Sequence, residues 1–307
     1  MRITLRPISF MLCAAVLAAC SAGGTNPPVA QSGPKRPPGV GVGTGLTSSP
    51  MNAVVDGKAV HALLPRTVAR AKGSGGNLVY HGGPIQKHPA IYVVYWGFTG
   101  STADPDGVQP YLNSFLSGLS GTPYYDIMTQ YYSTAAGNIT DPKHEFAGAW
   151  VDNASVPNQP SDTQVANEAI RAAAHFGYNY DASYVVQLPH GAYNNLKWCA
   201  YHSVQNSAYG PVHYTNLPYQ PDFPACGTDS VNSGAQGLLD STSETAAHEV
   251  AETQTDPDTR TGWYDAAGNE IGDYCSYIDL QNITLSTGTF ATQPLWSNAA
   301  NYCAIRY

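Results

Sequence analysis

Residues 91–97, Ile-Tyr-Val-Val-Tyr-Trp-Gly, form an unbroken apolar, β-branched and aromatic run with no polar face. A strand of that composition is stable only when both of its sides are covered, so the surrounding chain must supply packing elements for two faces. A helix is expected next. Asp106 can cap it, Val108, Tyr111, Leu112, Phe115, Leu116 and Leu119 recur at helical spacing, and Gly121-Thr122-Pro123 stops it. A second helix over 163–175, opened by the capping box Ser161-x-x-Gln164, leads into another buried strand, Tyr184-Val185-Val186-Gln187-Leu188. Strands alternating with helices predict an α/β fold, a layered mixed sheet with flanking helices. Residues 189–237 are rich in Tyr but show little periodicity. They read as long disulfide-pinned loops, a common setting for a substrate cleft.

Apolar residues make up 43% of the 307 and charged residues only 12%, which is ample for a substantial core. The 22 Asp and Glu outnumber the 14 Lys and Arg, and no basic run interrupts them, which argues against nucleic acid as a partner.

The first twenty residues are expected to take no part in the mature fold. Arg2 and Arg6 precede an apolar run over 8–18 that is too short to serve as a mature membrane span, and Leu17-Ala18-Ala19-Cys20 has the form of a bacterial lipobox. Residues 1–19 are thus expected to be a signal peptide and Cys20 the lipid-bearing residue that anchors the chain to a membrane of the cell envelope. The alternative is an ordinary signal cut nearby and a secreted protein. Residues 20–76 read as a Gly-, Pro- and Ser-rich tether, within which 51–75 form either a short pro-segment or an edge element. The alternating Gly39, Gly41, Gly43 and Gly45 have neither a strand before them nor a helix after them, so they read as linker and not as a nucleotide loop. A single folded domain is placed at 77–307. Export puts Cys199, Cys226, Cys275 and Cys303 in an oxidising compartment, where the local pairings Cys199 with Cys226 and Cys275 with Cys303 are favoured among the three possible.

The chemistry concentrates in Ala247-His248-Glu249-Val250-Ala251-Glu252. Residues 242–254 contain no Gly or Pro, Ser241-x-x-Glu244 offers a capping box, and Asp256-Pro257 ends the run. On a helix His248 and Glu252 point into one volume with Glu249 beside them, the layout of a zinc hydrolase in which a carboxylate replaces the second imidazole of H-E-x-x-H. Taken alone, such a pair is also what an ordinary surface ion pair looks like. Downstream, Glu270 and Asp273 can supply a third metal ligand and a carboxylate that orients His248; spacing does not decide which does which. The placement resembles thermolysin-like zinc peptidases, as does Asp256 after the helix. That resemblance implies a zincin-like active-site helix, with Glu270 as the ligand and Asp273 holding the His248 ring.

A wider resemblance runs through Tyr80-His81-Gly82-Gly83-Pro84, Tyr92 to Gly97, Trp198 to Ser203, His248 to Glu252, Thr255-Asp256-Pro257, Trp263-Tyr264-Asp265 and Glu270 to Cys275. In this order the segments resemble the phosphate-induced, Exordium-like protein family, which implies a secreted protein of the cell wall or extracellular space. The lipobox and tether depart from the plant pattern and point to a bacterial surface protein.

With zinc on His248, Glu252 and one of Glu270 or Asp273, a fourth position stays open for water, and Glu249 is the base that takes its proton as it attacks a peptide or cell-wall polymer. His202 and Tyr264 are candidate oxyanion donors. Two anionic ligands weaken the metal as a Lewis acid. The competing reading is a non-catalytic glycan- or wall-binding module, with Trp198, Trp263 and Trp296 as stacking platforms and the acidic cluster holding a structural metal such as calcium. No G-x-S-x-G supports serine chemistry.

Overall fold

The structure is a computed structural model that describes residues 53–67 and 76–307. The described residues belong to one compact unit, and the expected signal peptide, Cys20 and most of the tether lie outside them.

A seven-stranded mixed sheet organises the chain. Its strands are β1 (Ala53–Val55), β2 (Lys58–Leu63), β3 (Ala90–Trp96), β4 (Phe146–Asp152), β5 (Ala182–Gln187), β6 (Ala200–Ser207) and β7 (Gly210–Leu217), in the order β1-β2-β6-β7-β5-β3-β4. β3 is paired in parallel with β5 and β4, and β5 in parallel with β7, while β6, β2 and β1 add on antiparallel. The expected double-sided strand sits inside this sheet. Val93 and Tyr95 enter one buried cluster with Val185, and Val94 and Trp96 enter another with Val186, the period-2 alternation of a pleated strand.

The helices follow the same division. Helix α1 (Val108–Leu119) and helix α3 (Asp240–Thr255) pack on the Val93 side, and α2 (Asp162–Phe176) on the Val94 side. The α2 capping box forms as expected from Ser161 and Gln164. The start of α1 differs, since Val108 N–H and Gln109 N–H both donate to Asp104 rather than Asp106, at 2.7 and 3.0 Å. The Ser241–Glu244 box is also absent. α3 begins earlier, and Glu244 instead takes the Ser230 hydroxyl. Every residue of α3 is buried. Several of its polar side chains are matched individually, as where the Ser243 hydroxyl donates to Ala291 O. Among the described residues no helix is long and apolar enough to cross a membrane.

Two sequence expectations change. The hairpin β6–β7 occupies part of 189–237, where loops were expected, because its strands carry His202, Ser203, His213, Thr215 and Asn216 at buried positions and so hide the usual apolar alternation. The folded region also starts before residue 77, since β2 pairs with β6 in the register His61↔His202 and Leu63↔Ala200. Residues 53–63 are thus an edge element of the sheet and not tether. The cysteines pair as expected, Cys199 with Cys226 and Cys275 with Cys303, at Cα separations of 5.5 and 5.6 Å. Each closes a loop whose chain entropy is worth about 3–4 kcal/mol to the folded state.

Glu145, at the entrance to β4, accepts bonds from Tyr125 and from Gln254 near the end of α3. Burial pushes its carboxyl up from 4.5 to about 8, although both bonds oppose the shift. A raised folded-state value means that its contribution to stability is complete below pH 4.5 and is lost as pH rises to 8. Glu145→Gln keeps an oxygen for both donors and cannot ionise. Its melting temperature should fall less steeply than that of the wild type between pH 5 and 8, and parallel curves would show that Glu145 is not protonated in the fold.

Candidate metal centre

Helix α3 places His248 and Glu252 one turn apart on the same face. His248 Nε2 lies 3.0 Å from Glu252 Oε1 and 3.6 Å from Asp273 Oδ1. Ligands of a tetrahedral zinc, at 2.0–2.1 Å from the ion, lie roughly 3.3 Å apart, so this spacing suits three atoms around one cation. Neither His248 Nε2 nor either oxygen of Glu252 has a well-aligned hydrogen-bond partner, although all are buried. Buried polar groups are seldom left in that state, which makes the convergence informative.

The segment 270–275 is held against the helix by local chemistry. Asp265 accepts from the backbone N–H groups of Ala267 and Asn269 and from the Tyr274 hydroxyl, which shapes the preceding turn. Glu270 N–H donates to Asp273 Oδ2 at 2.7 Å, leaving Asp273 Oδ1 for the cluster. Between them Gly272 has φ −77°, which any residue adopts. A Cβ there would lie 2.6 Å from His248 Nδ1 and 2.9 Å from Glu252 Oε1, so the glycine is required for space alone. The Gln293 amide donates to Gly272 O at 2.9 Å and meets His248 Nδ1 at 3.1 Å, tying the ring to the same segment.

A second group adjoins the first. His61 on β2 and His202 on β6 are opposite in register, and both meet Glu270 Oε2, at 2.6 and 3.1 Å. His202 Nε2 is also 3.8 Å from Glu252 Oε2. Glu249 completes the cluster: its Oε1 accepts the Leu63 N–H at 3.4 Å and its Oε2 has no partner. Three sets of atoms could each hold an ion: His61, His202 and Glu270; His202, Glu249 and Glu252; and His248, Glu252 and Asp273.

Electrostatics reflect acids crowded away from water. Burial and the neighbouring Glu252 drive Glu249 well above the ordinary carboxylate range, burial and Glu270 do the same to Glu252, and burial and Glu252 to Asp273. For Glu270 burial is outweighed by His61 and His202, which hold it at about 2. His61 is pulled down by burial, but Glu270 outweighs this and raises it to about 9. Burial lowers His248 in spite of Asp273, favouring the neutral ring that a metal needs.

The expected residues Glu249, Glu252, His248, Glu270, Asp273 and His202 therefore come together, but in different parts. Asp273, not Glu270, sits with His248 and Glu252. It faces Nε2, and Gln293 is the group at Nδ1. His202 lies among the acids, with Nε2 3.1 Å from Glu270 Oε2 and 3.8 Å from Glu252 Oε2. Asp256 spends its oxygens on Arg260 N–H, Thr261 N–H and the Thr261 hydroxyl, which shapes the turn after α3. Tyr264 stacks on His81 with ring centroids 3.7 Å apart and donates to Arg260 O. The proposed stacking platforms are not available, because Trp198, Trp263 and Trp296 are buried against tyrosines. His61 and Gln293 were not found from sequence. The one available signal for His61 was a lone imidazole inside the apolar run Val60-His61-Ala62-Leu63.

Comparison with protein-family models, with curated proteins and with solved structures finds no match to this chain. The contact at Gly272 supplies a direct test of the site. Gly272→Ala should weaken zinc binding by about 10- to 100-fold, the cost of disturbing residues that orient ligands. Chelator competition measures the effect, and unchanged affinity would remove the 270–275 segment from the site.

Proposed function

We propose that the chain is an exported, surface-anchored, metal-dependent hydrolase of peptidase-like chemistry, related to the phosphate-induced, Exordium-like proteins. The observation that carries this reading is the convergence of His248 Nε2, Glu252 Oε1 and Asp273 Oδ1 on one buried point, where neither His248 Nε2 nor Glu252 Oε1 has a well-aligned hydrogen bond, beside the unpartnered Glu249 Oε2. In this reading α3 serves as a zincin-like active-site helix. Imidazole among the donors favours zinc over calcium, which prefers oxygen alone. A cation held by these residues would supply Lewis acidity toward the scissile carbonyl. Glu249 takes a proton from the attacking water and returns it to the leaving amine as the carbon–nitrogen bond breaks.

Complete burial of the cluster favours a second reading, a structural metal in a non-catalytic envelope protein. Glu249 separates the two. Glu249→Gln should retain zinc and lower hydrolysis of a fluorogenic peptide mixture by at least about 100-fold, the usual contribution of a general base. His248→Ala should lose the metal. If zinc leaves both variants equally, Glu249 is a ligand; if zinc-loaded wild type cleaves neither peptides nor wall polymer, the structural-metal reading replaces catalysis.

Anchoring is tested separately. Cys20→Ala should move the protein from the membrane fraction to the soluble fraction, since a single residue carries the lipid. Unchanged membrane association would count against the lipobox.

A further inference from the structure

We infer that Glu252 bridges two divalent cations, the second held by His61, His202 and Glu270. The inference deepens the proposed function and rests on its assignment of His248, Glu252 and Asp273 to a first cation.

The two oxygens of Glu252 face different partners. Oε1 is 3.0 Å from His248 Nε2, and Oε2 is 3.8 Å from His202 Nε2. Neither has a well-aligned hydrogen-bond partner, and the side chain is fully buried. A bidentate bridge of this kind is how two-metal sites hold their ions about 3.5–4 Å apart. The second group has donors of its own. His61 and His202 project from neighbouring strands toward Glu270 Oε2, with His61 Nδ1 at 2.6 Å and His202 Nε2 at 3.1 Å, while His61 Nε2 and Glu270 Oε1 have no partner.

Charge gives an independent reason. Glu249, Glu252, Glu270 and Asp273 are buried together, and among the described residues the ion pairs of Glu252, Glu270 and Asp273 are made to His61, His202 and His248. One divalent cation with neutral imidazoles leaves two negative charges out of reach of water. Two divalent cations neutralise all four carboxylates, which removes the main cost of burying them. The simpler arrangement, protons on Glu249, Glu252 and Asp273 with a protonated His61 paired to Glu270, also removes the charge but leaves Glu252 Oε2 and Glu270 Oε1 without partners.

A bridged pair makes β2 part of the metal centre. It also assigns His61 a job that a purely structural strand would not need.

The wild-type protein, stripped with chelator, incubated with zinc and passed through gel filtration, should retain two equivalents by mass spectrometry. His61→Ala and His202→Ala should each retain one, and Glu252→Gln should lose at least about 10-fold in affinity for both. Cobalt substitution gives a readout that does not depend on any variant folding. Two Co²⁺ ions sharing a carboxylate should show magnetic coupling, with the spectrum at two equivalents differing from twice that at one. One zinc in the wild type, kept by His61→Ala and lost by His248→Ala, would overturn the bridge and leave the proposed function standing. One zinc lost by His61→Ala but kept by His248→Ala would place the ion at His61, His202 and Glu270 and overturn both assignments. No retained zinc would overturn both as well.

Discussion

Four carboxylic acids buried in one volume, with imidazoles as their ion-pair partners, are the constraint around which this structure is arranged. Moving an ionised carboxylate out of water costs several kcal/mol even after relaxation, so such a cluster persists only if protons or cations accompany it. Protons satisfy the acids singly and in different ways, as the opposed shifts of Glu252 and Glu270 illustrate. Cations would satisfy them collectively, and the unpartnered oxygens and nitrogens point inward, as that requires.

The fold around the cluster is correspondingly specific. A helix buried along all of its length normally carries apolar residues on every side. In α3 the polar residues are kept, and neighbouring segments supply partners one by one: Ala291 O for Ser243, Glu145 for Gln254, Ser230 for Glu244. Small residues at Ala246, Ala247, Val250 and Ala251 let the helix approach the sheet closely, and Gly272 lets the acidic segment approach the helix. The second disulfide fixes the end of that segment at Cys275, two residues beyond Asp273. Closeness of approach, not volume of apolar core, sets the geometry of the centre.

The edge hairpin shows how position in a sheet can change a residue's role. In β2 the side chains alternate: Val60 and Ala62 join the α2 core, and His61 and Leu63 turn to the opposite face, where Leu63 packs on the first disulfide. A register shift of one residue would exchange these sets and put Ala62 where His61 meets Glu270. The same strand contributes the Leu63 N–H that engages Glu249. Chain that reads as an extension of a tether is therefore joined to the most highly charged part of the interior.

Local interactions explain which features were legible in the sequence. The i, i+4 relation of His248 and Glu252, the strand in 91–97, the α2 capping box and the proximity of Glu270 to Asp273 depend on residues a few positions apart, and periodicity or spacing reveals them. The cysteine pairing followed from the expected oxidising compartment and from the closeness of each pair in the sequence. What only the tertiary structure decided involves partners distant in the chain. It includes which acid faces His248, since this depends on how 270–275 packs against α3 and on Gln293. It includes the strands β6 and β7, whose buried polar residues acquire meaning only beside their neighbours. It includes His61, for which nothing in the local sequence distinguishes a solvated imidazole from one that β-sheet register sets against His202, with Glu270 between them.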